Sequence, residues 1–252
     1  MIGQATIINY SENESQVFGR RFARFDIPKH FNDWNLLRYE IEALKIDFLR
    51  LKISDPNHET TNEILQLGKK TYLLEILRHY SSSDLLQNIS GLETFSELEY
   101  KIVNHQNIEQ FKQIVDETYE DIPFGTYTSN EILDYFPLDK QKNNLVDYFG
   151  KQYNGDNPQK EAYIIYLNDI AAGCIITDYL SDYSYTNYLG ILRPYRKNDL
   201  FSKTFHFVVN TAMEKKLKFA SSSARLHNIF SQRGFEKYWN FKSHDWIYLV
   251  KC

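Results

Sequence analysis

The chain has 252 residues, a formal net charge of -4, 42% hydrophobic residues and 25% charged residues. That length can bury a substantial core in one large or two smaller domains, and the net negative charge argues against a nucleic-acid partner, which needs a basic face for phosphates. No apolar run approaches the roughly 18 residues of a membrane span, and two cysteines build neither a disulfide framework nor a zinc site, so a reducing cytoplasm is expected.

Met1-Ile-Gly-Gln-Ala-Thr6 lacks the charged-then-apolar pattern of a secretory leader. Ala5–Tyr10 reads as a strand. Val17–Ile27 alternates Phe18, Arg20, Phe22 and Arg24 against Val17, Arg21, Ala23, Phe25 and Ile27, close to the period of two of a half-buried strand. Asn32–Leu44 places Trp34, Leu37, Ile41 and Leu44 on one helical stripe. Asp47–Ile53 is a strand ended by Asp55-Pro56, Thr60–Leu67 a short helix closed by Gly68, and Thr71–His79 a further strand. The polar run from Ser81 to Gly91 is a loop.

After Leu98–Val103, a strand, the alternation restarts. His105–Tyr119 is an amphipathic helix with Ile108, Phe111, Ile114, Val115 and Thr118 on one face. Two helices, Asn130–Phe136 and Asp139–Lys151, precede the polar break Asn154–Pro158. Three strands follow, Ala162–Leu167, Ile170–Tyr179 and Tyr183–Leu192, the first two joined by a hairpin at Asn168-Asp169. Cys174 sits in an apolar strand and reads as core. The scattered histidines show no ligand spacing, so no metal is expected.

Tyr188-Leu-Gly-Ile-Leu-Arg-Pro-Tyr-Arg-Lys-Asn-Asp-Leu-Phe201 is the most informative segment. An apolar strand breaks at Pro194 and delivers a basic turn into a helix start, where unpaired N–H groups suit a phosphate-bearing ligand. A strand at Lys218–Ser223 comes next, then a helix at Ala224–Arg233 ending in Gly234-Phe235, then a last strand. This order resembles the C-terminal half of the GNAT acyltransferase superfamily. The resemblance implies an α/β fold in two parts. Residues 98–252 would be a GNAT-like mixed sheet flanked by helices, and residues 1–97 a smaller, partial GNAT-like α/β domain.

Main-chain groups of a splayed strand, Tyr185–Leu192, would hold the pantetheine arm of acyl-CoA, with an N–H near Ile191 or Leu192 meeting the oxyanion. Arg196, Lys197, Asn198, Asp199, Leu200 and Phe201 would cradle its pyrophosphate. The family's loop reads Arg-Gly-x-Gly-x-Gly or Ala; here Arg196 matches and the three small positions do not. Ser223 and Asn228 are further contacts, and the family's usual Tyr acid is replaced by Phe230, so no dedicated acid is expected from that helix. Asp178, Tyr183 and Tyr185 are the candidate proton-handling residues.

Phe18-Gly-Arg-Arg-Phe-Ala-Arg-Phe-Asp-Ile27 is similar to a segment of bacterial N-acyltransferases acting on dTDP-linked amino-deoxyhexoses. It implies acetyl-CoA or hydroxybutyryl-CoA as co-substrate and a nucleotide-sugar acceptor. Arg20, Arg21 and Arg24 would clamp phosphates, Phe18, Trp34 and Tyr127 would stack on the base, and Phe124–Asn130 would be an acceptor loop. The expected protein acts without nucleic acid or membrane, and a homodimer through sheet edges is compatible. Three other readings stay open: a catalytically silent GNAT-like binding domain, an aminoacyl-tRNA-dependent transferase and a peptide-amine acyltransferase.

Overall fold

The computed structural model describes residues 7–82, 94–119, 134–196, 199–226 and 228–252. The first part of the chain supplies β1 (Asn9–Tyr10), α1 (Glu12–Phe18), β2 (Phe22–Ile27), α2 (Trp34–Ala43), β3 (Phe48–Ser54), α3 (His58–Leu65) and β4 (Lys70–Ser82). The second supplies β5 (Leu98–Ile102), α4 (Ile108–Tyr119), α5 (Leu138–Gln152), β6 (Lys160–Leu167), β7 (Ile170–Tyr179) and β8 (Tyr183–Ile191). A 3-10 turn (Arg193–Tyr195), α6 (Leu200–Glu214), β9 (Phe219–Arg225), α7 (Ile229–Tyr238) and β10 (Trp239–Lys251) complete it.

All ten strands join one mixed sheet in the order β1-β2-β3-β10-β4-β9-β8-β7-β6-β5. The last strand therefore lies between two early ones, antiparallel to both β3 and β4. Two pairs are parallel, β2 with β3 and β8 with β9. Alternation along the strands gives each half two faces. On the back face, α2 and α3 cover Ala23, Phe25, Leu49, Leu51 and Val250, and α6 and α7 cover Ile175, Ala220, Ala224 and Trp239. On the front face, α4 and α5 pack on Ile164, Cys174 and Ile176, whereas among the described residues α1, Tyr135 and Phe136 lie over Phe22, Phe48, Leu74 and Leu249 in the early strands. Fully buried side chains such as Leu49, Leu51 and Ile164 each stabilise the fold by about 1.5–3 kcal/mol.

Several expected elements differ: among the described residues the first strand is only Asn9–Tyr10, and Ser81 and Ser82, expected in a loop, end β4. Val17–Ile27 is not one strand: Val17 and Phe18 end α1, and Gly19 follows at φ 64, a left-handed cap that stops the helix before β2 begins. The alternating pattern is real only from Phe22 onward. The helix expected at Ala224–Arg233 starts later, because Ser223, Ala224 and Arg225 are held extended against β4. Asn228 then caps α7 by accepting the Ser231 N–H, and Gly234 and Phe235 lie inside that helix. A Cβ at Gly234 would run into the Phe201 ring, so this glycine serves a close helix–helix approach. The Asn168-Asp169 hairpin is as expected, with φ of 48 and 65 at the two residues.

Candidate functional site

β8 and β9 run side by side only from Tyr183↔Phe219 to Thr186↔Ser222. Beyond that they part. The cause lies in β8: its register against β7 slips between Thr177↔Thr186 and Ile176↔Tyr188, so Asn187 is an extra, bulged residue. A bulge bends and twists its strand, here away from β9. The Leu192 N–H donates to Ala172 O on β7, so the strand's alternation turns the main-chain groups of Leu189 and Ile191 toward the gap. On the other rim the Leu226 N–H donates to Ile76 O on β4, which turns Ser223 and Arg225 inward. Of the two amides expected to meet an oxyanion, Leu192 is already committed, and Ile191 faces the gap.

The open end of the gap meets the turn before α6. Arg196 folds back so that its Nε donates to Ile191 O at 2.9 Å. Asp199 stands at the helix N-cap with φ 53, a left-handed conformation that Asp tolerates and where the family pattern uses a small residue. Its side chain makes no capping bond. Leu200 is fully buried and Phe201 packs on Phe205 and Phe235, so these two offer backbone N–H groups of the first turn, while their side chains anchor the helix.

Three polar networks line the front face beside the gap. In the first, Asn187 Nδ2 donates to the Tyr153 hydroxyl (3.1 Å), which donates to Asp178 Oδ1 (2.7 Å). Burial, then the bond to Asp178, pushes the Tyr153 phenol well up, so it keeps its proton. In the second, Glu75 takes Arg225 Nε at 3.0 Å and lies 3.7 Å from Arg50 Nη2. In the third, the Asp245 carboxylate is met by Lys52 Nζ at 2.8 Å, Ser54 Oγ and His79 Nε2 at 2.8 Å. The Tyr185 hydroxyl is 2.8 Å from Ser223 Oγ. Burial raises the Tyr185 phenol, and the Ser223 bond offsets this only in part. A phenol that holds its proton can donate a hydrogen bond but is a poor base.

Next to these networks a cleft of about 990 Å³ opens between α1, α5 and the front of the early strands. Its cations are Arg24, Arg50, Lys140 and Lys151, its anions Glu14 and Asp147, and Phe18, Tyr119 and Tyr148 supply rings. Arg24 is partly tied to Glu14 at 2.7 Å. The cleft and the gap share a wall, because Arg50 lines the cleft, Glu75 joins Arg50 to Arg225, and Arg225 forms the rim of the gap.

The residues singled out from sequence are scattered more widely than expected. Phe18 and Arg24 line the cleft. Arg20 and Arg21 sit on the outer turn after α1, with the Arg21 guanidinium 5.5 Å over the Tyr10 ring. Trp34 packs on Phe31 at the back face, away from the cleft. Tyr183 stacks on Phe219 at the closed end of the β8–β9 pair. Asp178 and Tyr185 pair across β7 and β8 just before the gap opens, and the Asn228 side-chain oxygen caps α7. Tyr127, Lys197, Asn198 and the Phe124–Asn130 loop lie outside the described residues. Sequence reading missed Asn187, Tyr153, Glu75, Arg225, His79 and Asp245. Among the described residues no cluster of three or more His, Cys, Asp or Glu could hold a metal, and no helix is long and apolar enough to cross a membrane.

No family model matches the chain, and no curated protein matches it. Solved structures do. A Staphylococcus epidermidis conserved protein, described as functionally unknown, is 12% identical with a TM-score of 0.66, over 99% of this chain and 93% of that one. A GCN5-related N-acetyltransferase from Sphaerobacter thermophilus is 9% identical with a TM-score of 0.63, over 91% and 73%. A tandem GNAT protein from the clavulanic acid biosynthesis pathway is 10% identical with a TM-score of 0.57, over 92% and 76%. At such identities the likeness is one of fold. The large mixed sheet flanked by helices is similar in fold to those of this GCN5-related N-acetyltransferase and this tandem GNAT protein.

Proposed function

We propose that this chain moves a short acyl group, acetyl or hydroxybutyryl, from acyl-CoA to the amine of a phosphate-bearing acceptor. The observation that carries the reading is the parting of β8 and β9, whose rims at Leu189, Ile191, Ser223 and Arg225 face a gap with main-chain donors and acceptors. An extended, amide-bearing arm satisfies such rims as a third strand would. Acyl-CoA supplies the activated acyl group as a thioester. The Ile191 N–H, aimed into the gap, stabilises negative charge developing on the carbonyl oxygen. The first-turn amides of α6 face the phosphates, and Arg196 closes the open end. Much of the rate would come from holding amine and thioester in line.

The acceptor occupies the adjoining cleft. At about 990 Å³ it is near the upper limit for small-molecule sites, far larger than a bare amine needs. Beyond the Arg24–Glu14 and Arg50–Glu75 pairs, Lys140 and Lys151 outnumber Asp147, a surplus that suits an anionic acceptor, and Phe18 and Tyr148 offer faces for a ring. A dTDP-linked amino-deoxyhexose has this chemistry, and it is the acceptor class we propose. Calorimetry and thermal shift with acetyl- and hydroxybutyryl-CoA test the reading. Saturation at a hundredfold over Kd should stabilise the protein by about 2.7 kcal/mol, and Arg196→Glu should weaken acyl-CoA binding by about tenfold while sparing acceptor binding. If no short acyl-CoA stabilises the protein, the transferase reading fails.

A further inference from the structure

We propose that His79 is the base that takes a proton from the incoming amine, with Asp245 orienting the ring; this rests on the acyl-transfer reading above. His79 on β4 stands in register with Ser223 on β9, one residue past the last β8–β9 pair. Alternation places His79, Ser223 and Tyr185 on the front face, and the His79 and Tyr185 ring centroids are 6.3 Å apart. The imidazole thus lies at the point where the gap opens, on the same face of the sheet as the acceptor cleft but outside its lining. Its side chain is 19% exposed, so a solute can reach it, while that of Asp245 is 5% exposed.

Burial alone would raise the Asp245 pKa. The contacts from His79, Lys52 and Ser54 outweigh burial and hold the carboxyl well below the usual range, so it stays charged. His79 Nε2 lies 2.8 Å from Asp245 Oδ2, a close ion-pair distance although the ring N–H is not aligned for a straight bond. A charge at Nε2 selects the Nε2–H tautomer and leaves the Nδ1 lone pair as the proton acceptor. Other charged or titratable groups facing the ring are Lys52, which opposes Asp245, and the protonated Tyr185. Farther along the same face, Glu75 and Arg225 offset each other, and Asp178, one strand beyond Tyr185, is engaged by Tyr153. Glu75 is clasped by Arg50 and Arg225 and is poorly placed to accept a proton. An imidazole is the side chain most often used for this proton transfer.

The step balances simply. An acceptor ammonium passes one proton to His79 Nδ1, and the neutral nitrogen forms the N–C bond at the thioester carbonyl. The C–S bond breaks, the second proton lost by nitrogen ends on the CoA sulfur, and His79 returns its proton to water.

The test uses the full chain with acetyl-CoA and a panel of amines, including a dTDP-amino sugar. His79→Gln should lower kcat/KM by about 10²-fold or more, abolish the acidic limb of the pH–rate profile, and leave acetyl-CoA affinity within about twofold. Asp245→Asn removes a negative neighbour and should move that limb to lower pH. Lys52→Met removes a positive one and should move it to higher pH. Independently of activity, nitrogen NMR of the wild-type imidazole should show the Nε2–H tautomer. A Nδ1–H tautomer, or an unchanged acidic limb in His79→Gln, overturns the role of His79 in an otherwise active transferase. A wild-type protein that binds no acyl-CoA removes the transferase reading itself.

Discussion

The sheet contains two parallel strand pairs, and they behave differently. β2 and β3 stay in register along the whole of β2, from Phe22↔Phe48 to Ile27↔Ile53. β8 and β9 keep four register pairs, Tyr183↔Phe219 through Thr186↔Ser222, and then separate. The first pair has no register slip, whereas β8 carries the Asn187 bulge. A single extra residue therefore distinguishes a pair that stays closed along its length from one whose rims part around a gap. The closed half contributes differently: its front face, with Arg24 and Arg50, makes one wall of the cleft.

The largest expected effect concerns the wall shared by the two halves. Glu75→Gln should cost about 3 kcal/mol by breaking the ion pairs to Arg50 and Arg225, measured by denaturant unfolding; a cost below 1 kcal/mol would show that the halves are not joined there. Amide exchange compares the two pairs directly. The Ile191 amide, which faces the gap, should exchange on the order of 100-fold faster than β2–β3 ladder amides and slow down when acetyl-CoA is added. Equal protection in the unliganded protein would close the gap and end the comparison.

Gly190→Ala probes the tight packing after the bulge. Its Cβ would lie 2.5 Å from Thr118 Oγ1 and 2.8 Å from Tyr188 Cε1, so a loss of about 2 kcal/mol is expected in thermal unfolding, together with weaker acyl-CoA binding. Asp245 gives a pH dependence. Its folded pKa is depressed, so its contribution is present above the unfolded pKa of roughly 3.9 and fades as the pH falls below it. Asp245→Asn should flatten stability against pH in that acid range. The smallest effect is Tyr153→Phe, about 1 kcal/mol, because it removes the hydroxyl joining Asn187 to Asp178. If the gap depends on this link, acyl-CoA affinity will fall as well.

Most elements were legible because their signals are local. Trp34–Ala43 shows its apolar stripe, and the Asn168-Asp169 turn advertises positive φ. The α1–β2 boundary was hidden because Arg20 and Arg21 continue the alternation of β2 through a turn that only Gly19 reveals. The site was legible as a strand-to-helix turn but not as a constellation. Asp245 meets Ser54 across 191 positions and Glu75 meets Arg225 across the β4–β9 pairing, and no local spacing encodes either. Asn187 was invisible for another reason: a bulge is a relation between two strands, and one strand's sequence does not state it.

The placement of β10 between β3 and β4 sets a timetable for folding. Residues 239–251 are made on the ribosome long after both neighbours, so the early strands wait with their facing edges uncovered until β10 emerges. Such distant pairings close slowly, and exposed strand edges invite association during the delay. Chaperone demand during synthesis, and aggregation of fragments that stop before Trp239, are the consequences to look for in cells that make this protein.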